Sequence, residues 1–329
     1  MSILVTGGAG YIGSHMAHEL ADAGQDVVIV DNLTTGFRWA MPETAKLVVG
    51  DVGDQDLVRA TIEKHGVTSI IHFAGSIVVP ESVADPLGYY DNNTVKSRAL
   101  IAAAVKSGIK NFIFSSTAAV YGMAKEMPVR ETSLLEPMSP YGSSKLMTEI
   151  MLRDTSLAHD FRYVALRYFN VAGADPTGRT GQSTKGATHL IKVACETALG
   201  KRSGMEVYGT DYETRDGTCI RDYIHVKDLA RAHVAALTHL QNGGTSDIFN
   251  CGYGQGYSVL EVLDAVKRVS GKAVNAKMSP RRPGDPAAIV AASDKIRNAL
   301  GWKPEYDDLD LIVNHALTWE DKLSKRNSK

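Results

Sequence analysis

The sequence predicts an α/β fold, a doubly wound parallel sheet followed by a smaller C-terminal α/β substrate-binding domain, and three observations carry that prediction. A glycine-rich turn joins a short apolar run to a helical stretch at the start of the chain. Strand-like and helix-like segments then alternate through the first half, and small or polar residues close each predicted strand.

The first strand is the apolar run at 3–5, and helical spacing of Ile12, Met16, Ala17 and Leu20 follows over 11–24, with Gly24 as the stop. A second strand at 27–30 ends in Asp31. Further strands are predicted at 47–49, 70–73, 112–114 and 164–166, running into Gly50-Asp51-Val52, Ala74-Gly75, Ser115-Ser116 and Arg167-Tyr168-Phe169-Asn170. Segments 54–65, 91–107 and 141–159 are long enough for the crossover helices that parallel neighbours require. Ligands of such a sheet gather beyond the carboxyl ends of its strands. Asp51, Ala74, Gly75, Ser115 and Asn170 are therefore expected to line one crevice with Tyr141.

After Asn170 the texture changes. Residues 173–186 hold four glycines and a proline, which reads as a long functional loop. Helices are predicted at 187–199, 227–240, 258–269 and 309–324, with short strands near 205–208 and 246–250. Residues 1–170 are read as a dinucleotide-binding domain and 171–329 mainly as a substrate domain, some of whose segments return to the first sheet. The basic end, Lys325-Arg326-Asn327-Ser328-Lys329, reads as a solvated tail.

Composition excludes several classes. The 329 residues carry 36 basic and 37 acidic side chains, a formal net charge of −1, so nothing draws the chain as a whole to nucleic acid or to an anionic membrane. Cys195, Cys219 and Cys251 lack zinc or redox spacing and are read as reduced thiols. His15 and His18 share a helix without ligand partners in sequence, so a solvated face is predicted for them and no metal site is expected. No apolar run approaches membrane-spanning length, and the first strand begins at once, so no signal peptide and a cytoplasmic location are expected.

Two patterns carry chemistry. Gly7, Gly10 and Gly13 recur every third residue between strand and helix, where glycine admits positive φ and lets a pyrophosphate approach the backbone at a helix N-terminus. Asp31 closes the next strand, at the distance where a Rossmann carboxylate accepts from an adenosine 2′-hydroxyl and repels a 2′-phosphate, which favours NAD over NADP. The second pattern is Ser139-Pro140-Tyr141-Gly142-Ser143-Ser144-Lys145. Positions i and i+4 of a helix share a face, so Tyr141 and Lys145 stand side by side as an acid/base device, the ammonium favouring the phenolate.

With these go Thr6-Gly7-Gly8-Ala9-Gly10-Tyr11-Ile12-Gly13-Ser14-His15, Asp31-Asn32-Leu33, His72-Phe73-Ala74-Gly75, Tyr89-Tyr90-Asp91-Asn92-Asn93, Ser115-Ser116-Thr117-Ala118-Ala119-Val120-Tyr121-Gly122, Arg221-Asp222-Tyr223-Ile224-His225-Val226 and Arg281-Arg282-Pro283-Gly284-Asp285. In this order, across residues 3–319, they resemble the extended short-chain dehydrogenase/reductases, and among them the nucleotide-sugar 4-epimerases. The resemblance implies NAD bound by Gly7, Gly10, Tyr11, Ile12, Gly13, Asp31, Asn32, Gly36, Asp51, Val52, Phe73, Ala74, Gly75, Asn92, Ser115, Tyr141, Lys145, Tyr168 and Phe169. It implies a UDP-sugar bound by Thr117, Tyr141, Asn170, His189, Leu190, Tyr208, Arg221, Arg282, Asp285 and Ile289. Arg221 and Arg282 would hold the diphosphate, Tyr208 would lie near the uracil, and Ile289 would wall the sugar pocket near C2.

The implied reaction interconverts UDP-glucose and UDP-galactose, or a pentose pair such as UDP-xylose and UDP-arabinose, through a transient 4-keto sugar. Tyr141 would take the 4-hydroxyl proton, Thr117 would bond O4, and Lys145 would hold the nicotinamide ribose and lower the phenol's pKa. Family dehydratases place an Asp-Glu pair after the threonine, where this chain has Ala118 and Ala119, so dehydration is disfavoured. A non-catalytic NAD sensor would not need Thr117, Tyr141 and Lys145 together. A homodimer pairing the helices at 91–107 and 141–159 is also implied.

Overall fold

The computed structural model describes residues 2–282 and 284–327. Met1, Pro283 of the Arg-Arg-Pro-Gly-Asp motif, and Ser328 and Lys329 of the predicted solvated tail lie outside the described residues. The first half lays down β1 (Ser2–Thr6), α1 (Tyr11–Asp22), β2 (Asp26–Asp31), β3 (Lys46–Val49), α2 (Gln55–His65), β4 (Val67–His72), α3 (Val79–Ala84), α4 (Pro86–Tyr89), α5 (Lys96–Lys106), β5 (Asn111–Thr117), α6 (Pro140–Ala158) and β6 (Arg162–Tyr168). The second half adds β7 (Asn170–Ala172), α7 (Leu190–Ala198), β8 (Met205–Tyr208), β9 (Ile220–His225), α8 (Val226–Gln241), β10 (Asp247–Cys251), β11 (Gly256–Ser258), α9 (Val259–Ser270), β12 (Ala276–Ser279), β13 (Ala288–Ile289), α10 (Asp294–Leu300) and α11 (Leu309–Asn327).

Seven parallel strands form the main sheet in the order β10-β6-β5-β4-β1-β2-β3. The strand order reverses between β1 and β4, which opens a crevice at their carboxyl ends. Side chains along a strand alternate between faces. Ile3 and Val5 of β1 accordingly join Met16 and Leu20 of α1 and Leu229 and Leu237 of α8 on one side. Leu4 joins Val58 and Ile62 of α2 and Leu100 of α5 on the other. Both faces are covered, which explains why these strands read as apolar runs. The sheet is the predicted doubly wound one, and β10 brings a strand of the second half back beside β6.

Local chemistry sets the helix ends. The Asp54 carboxylate accepts from Asp56 N and Leu57 N at the start of α2. Ser258 and Glu261 form a reciprocal capping box on α9, and Gly66, Gly271 and Gly301 close α2, α9 and α10 in the left-handed conformation.

Two expectations are corrected. His15 and His18 are buried, not solvated, because α8 packs across α1 and the segment around Ala40 covers its other flank. His15 Nδ1 bonds Tyr11 O at 2.7 Å and His18 Nε2 bonds Ala40 O at 3.0 Å. Burial pushes the His15 imidazole down to about 4, so it is neutral at pH 7. The predicted helix at 91–107 opens with a π-helical turn, Tyr90–Val95, and becomes α-helical only from Lys96. A π-turn rotates the register of the side chains around it, which apolar periodicity does not reveal.

Candidate active site

The site starts at the turn after β1. Gly7 has φ +68°, and a Cβ there would fall 2.7 Å from Ala74 N; a Cβ on Gly13 would fall 2.1 Å from Gly7 O. Only glycine leaves this turn open. Gly10 caps α1 without a side-chain hydrogen bond. The first-turn amides of Tyr11 and Ile12, reinforced by the helix dipole, therefore suit an outside anion such as a pyrophosphate. The Tyr11 hydroxyl donates to Gly173 O at 2.7 Å, and Ser14 Oγ lies 2.9 Å from Thr180 Oγ1, so the long glycine-rich loop is fastened to this helix.

At the end of β2 the buried Asp31 accepts from Ala9 N at 2.9 Å through Oδ2 and from Leu33 N at 2.8 Å through Oδ1. Each carboxylate oxygen has a second lone pair, enough to accept from a ribose hydroxyl. Asn32 Oδ1 accepts from Thr34 N at 3.0 Å, and a Cβ on Gly36 would lie 3.0 Å from Asp31 Oδ1. Asp51 is ion-paired to Lys96 at 2.6 Å, and Val52 packs in the core. At the end of β4 the Phe73 ring packs on His233 with centroids 4.7 Å apart. A Cβ on Gly75 would lie 3.7 Å from Lys145 Nζ. These residues fit a dinucleotide: an uncapped helix start, a carboxylate for the ribose, and a glycine-lined approach to Lys145.

Helix α6 presents the proton-transfer groups. Ser139 Oγ accepts from Gly142 N at 3.2 Å and Pro140 occupies the first turn, which fixes where the helix begins and hence which way Tyr141 and Lys145 face. Lys145 Nζ donates to Ser115 O at 3.0 Å and lies 5.0 Å from the centroid of the Phe114 ring. Burial pushes the ammonium down to about 8. The Thr117 hydroxyl is within hydrogen-bonding reach of the Tyr141 phenol. Its oxygen already accepts from Ala119 N at 3.1 Å, so its proton is free to be donated to Tyr141. The cap therefore leaves the Thr117 hydroxyl able to donate.

With protein groups alone, the Tyr141 phenol is raised above its ordinary value by burial, and the opposing pull comes from the Thr117 hydrogen bond, not from Lys145. Removing a phenolate from water costs more than Thr117 returns. The ammonium of Lys145 is turned towards the Ser115 carbonyl.

The remaining predicted residues form further groups. Ser115 Oγ lies 2.5 Å from the Tyr168 hydroxyl, while Phe169 packs with Ala118 and Ile289. Asn170, His189 and Leu190 line one cleft with Gln182, Lys192 and Tyr223. His189 Nδ1 bonds Gln182 Nε2 at 2.7 Å, and burial, with Lys192 adding, lowers the imidazole's pKa. Arg221 Nη1 donates to Ile220 O at 2.9 Å and Pro286 O at 2.8 Å, and its Nη2 is 3.7 Å from Asp285 Oδ1. Ile289 pairs in register with Arg221. The Arg282 guanidinium lies 3.7 Å from the centroid of the Tyr208 ring, so these two predicted ligands contact each other.

Sequence reasoning chose Asn92 and passed over its neighbour. Asn92 Nδ2 reaches only Ser76 Oγ, at 2.9 Å. Asn93 is buried, accepts from Ser76 N at 2.7 Å, donates to Ser144 Oγ at 3.1 Å, and would meet a Cβ on Gly75 at 3.0 Å. Gln182, beside His189, was also passed over, and its place in a glycine-rich loop carried no signal.

Comparison with known proteins agrees with this geometry. A UDP-glucose 4-epimerase of Azospirillum brasilense is 57% identical over 323 residues, covering 98% of this chain and 93% of the relative. The crystal structure of a UDP-glucose 4-epimerase from Brucella ovis in complex with NAD superposes with a TM-score of 0.94 at 45% identity, covering 96% of this chain and 97% of that one. A UDP-glucose 4-epimerase from Stenotrophomonas maltophila, with bound NAD and formylated UDP-arabinopyranose, gives a TM-score of 0.96 at 38% identity over 99% of both chains. The profile of the NAD dependent epimerase/dehydratase family matches residues 3–252. The glycine turn, Asp31 and the Tyr141–Lys145 helix all lie within that span, and the chain belongs to the NAD dependent epimerase/dehydratase family.

Proposed function

We propose that this protein is an NAD-dependent 4-epimerase that interconverts UDP-glucose and UDP-galactose. The observation that carries the reading is the buried trio of Thr117, Tyr141 and Lys145, gathered at the strand ends beside the glycine turn. Bound NAD supplies the acceptor that takes the C4 hydride and returns it to the opposite face. Tyr141, as phenolate, accepts the 4-hydroxyl proton and later gives it back. Thr117 donates to the developing oxygen, and Lys145 keeps positive charge beside Tyr141. Arg221 and Arg282 pair with the diphosphate, which keeps the nucleotide fixed while the sugar turns. Burial of the trio excludes water from the ketone. Ala118, next to Thr117, packs in an apolar cluster and brings no acid for dehydration.

The test is to incubate purified protein, without added NAD, with UDP-galactose, UDP-glucose and their pentose and N-acetyl counterparts, and to separate the products. Interconversion of the hexose pair with NAD retained supports the reading. A cofactor-free preparation that consumes NAD and releases NADH would mark a net dehydrogenase instead.

Substrate breadth turns on Ile289. It sits opposite Arg221 and packs on Phe169 and Ala118, between the diphosphate ligand and the Thr117 end of β5. A branched, stiff side chain there leaves some room near C2 without opening the pocket. The plain hexoses should turn over well and UDP-N-acetylglucosamine slowly. Ile289→Gly should raise the N-acetyl/plain ratio of kcat/KM and Ile289→Tyr should lower it, and an unchanged ratio in both variants would remove Ile289 from the pocket wall.

Asp31→Ala should weaken NAD binding by about 10- to 100-fold, the scale of hydrogen bonds to a charged group, and should relax the bias against NADP. Bound NAD after purification and titrated affinities for both dinucleotides check this; unchanged selectivity would reassign the discrimination. A cytoplasmic homodimer completes the proposal. Its support is the set of exposed apolar side chains Val95, Met147, Ile150 and Leu157 on the π-turn and on α6.

A further inference from the structure

Behind the cleft, one set of buried charges touches the same elements that carry the reacting groups. Glu149 and Arg167 are 3% and 2% exposed, so both charges are out of water. Arg167 Nε lies 3.0 Å from Glu149 Oε1 and Nη2 lies 2.6 Å from Oε2, a two-point fork. Its Nη1 goes to the Tyr121 hydroxyl at 3.0 Å and to Glu131 O at 3.4 Å, while Ser116 Oγ donates to Glu149 Oε1 at 2.5 Å.

The placement of these groups is specific. Tyr141, Lys145 and Glu149 follow one another at intervals of four along α6 and share a face. Ser116 stands between Ser115, whose carbonyl accepts from Lys145, and Thr117, whose hydroxyl reaches Tyr141. Arg167 pairs in register with Ser116 and precedes Tyr168, whose hydroxyl bonds Ser115. Such a pair adds little net stability, because desolvation of both charges offsets their attraction. A bidentate fork does restrict sliding and rotation of the elements it joins.

We propose that the Glu149–Arg167 pair, with Ser116, positions the catalytic helix against the ends of β5 and β6 and so sets Tyr141 and Lys145 relative to Thr117. This rests on the epimerase reading for the roles of those three groups. Glu149 and Arg167 are positioning residues, remote from substrate.

The test is Glu149→Gln in the NAD-containing protein, which keeps the shape and removes the charge. The ionisable groups facing the Tyr141 phenol are Tyr168 of β6 and Tyr89 of α4, while Lys145, one turn along the same helix, is turned towards Ser115 O. Neutralising a carboxylate acts directly to favour the phenolate, so lost charge alone would lower the phenol's pKa; lost positioning raises it. The expected result is a rise of about one pH unit, read as tyrosinate absorbance against the matching Tyr141→Phe protein. With it kcat should fall about 10- to 100-fold, with KM and bound NAD within about twofold. Arg167→Lys, which keeps charge without the fork, should fall between the two and carries the test if Glu149→Gln does not fold. A folded variant with wild-type kcat and an unmoved or lowered phenol titration overturns the proposal, as does joint loss of kcat, KM and thermal midpoint with the phenol unmoved. If the wild type converts no UDP-sugar while the phenol still rises in Glu149→Gln, the substrate reading fails and the positioning stands.

Discussion

Tyr141→Phe is expected to fold, to hold NAD and to lose turnover by about 100- to 10,000-fold, the range typical of a general acid–base group. The substitution removes one oxygen. The ring keeps its buried place on α6, so packing and the cofactor side of the cleft are undisturbed. What disappears is the proposed acceptor for the 4-hydroxyl proton and the partner of the Thr117 hydroxyl. Circular dichroism, bound-NAD content and steady-state kinetics together check this, and turnover within threefold of wild type would sink the mechanism.

Lys145→Ala should lose at least as much rate and, in addition, much of its bound NAD. Two roles depend on this side chain. Its ammonium fills the space between Gly75 and the Phe114 ring and donates to Ser115 O, so its loss strips that carbonyl of its side-chain donor and removes the proposed donor for the cofactor ribose. It is also the cation one turn from Tyr141 on α6. A lysine is charged below its pKa, and burial holds this one near 8, so its positive charge is present at neutral pH and fades as pH rises through that value. The wild-type rate should accordingly fall on the alkaline side, and the residual rate of Lys145→Ala should lack that fall. A variant that retained full NAD and kept the alkaline limb would place both roles elsewhere.

The parts of this protein legible in its sequence are those in which one local element contains the whole reason. Gly7 and Gly13 are glycine because a Cβ at either would run into backbone, that of Ala74 and of Gly7 itself, and Asp31 is reached by counting along the strand that follows. Tyr141 and Lys145 share a face because a helix turns every 3.6 residues, and Ser139-Pro140 marks where that helix starts. Alternating apolar runs and helical stretches likewise determined the doubly wound sheet, whose strands are buried on both faces.

Tertiary structure decided what depends on which elements meet. Apolar periodicity says that a face is covered, not by what, so the burial of His15 and His18 appeared only with α8 packed across α1. The π-turn beside α6 buries Asn93, which ties Ser76 to Ser144. The strands β7, β11 and β13 carry too few residues for a periodic signal and exist because each pairs with β9. With protein groups alone the phenol of Tyr141 is raised because the surrounding protein removes it from water, a cost that depends on the whole enclosure and on no single neighbour in sequence. The Glu149–Arg167 pair joins residues 18 apart in the chain, and its meaning lies in the strand end and helix face that it ties together.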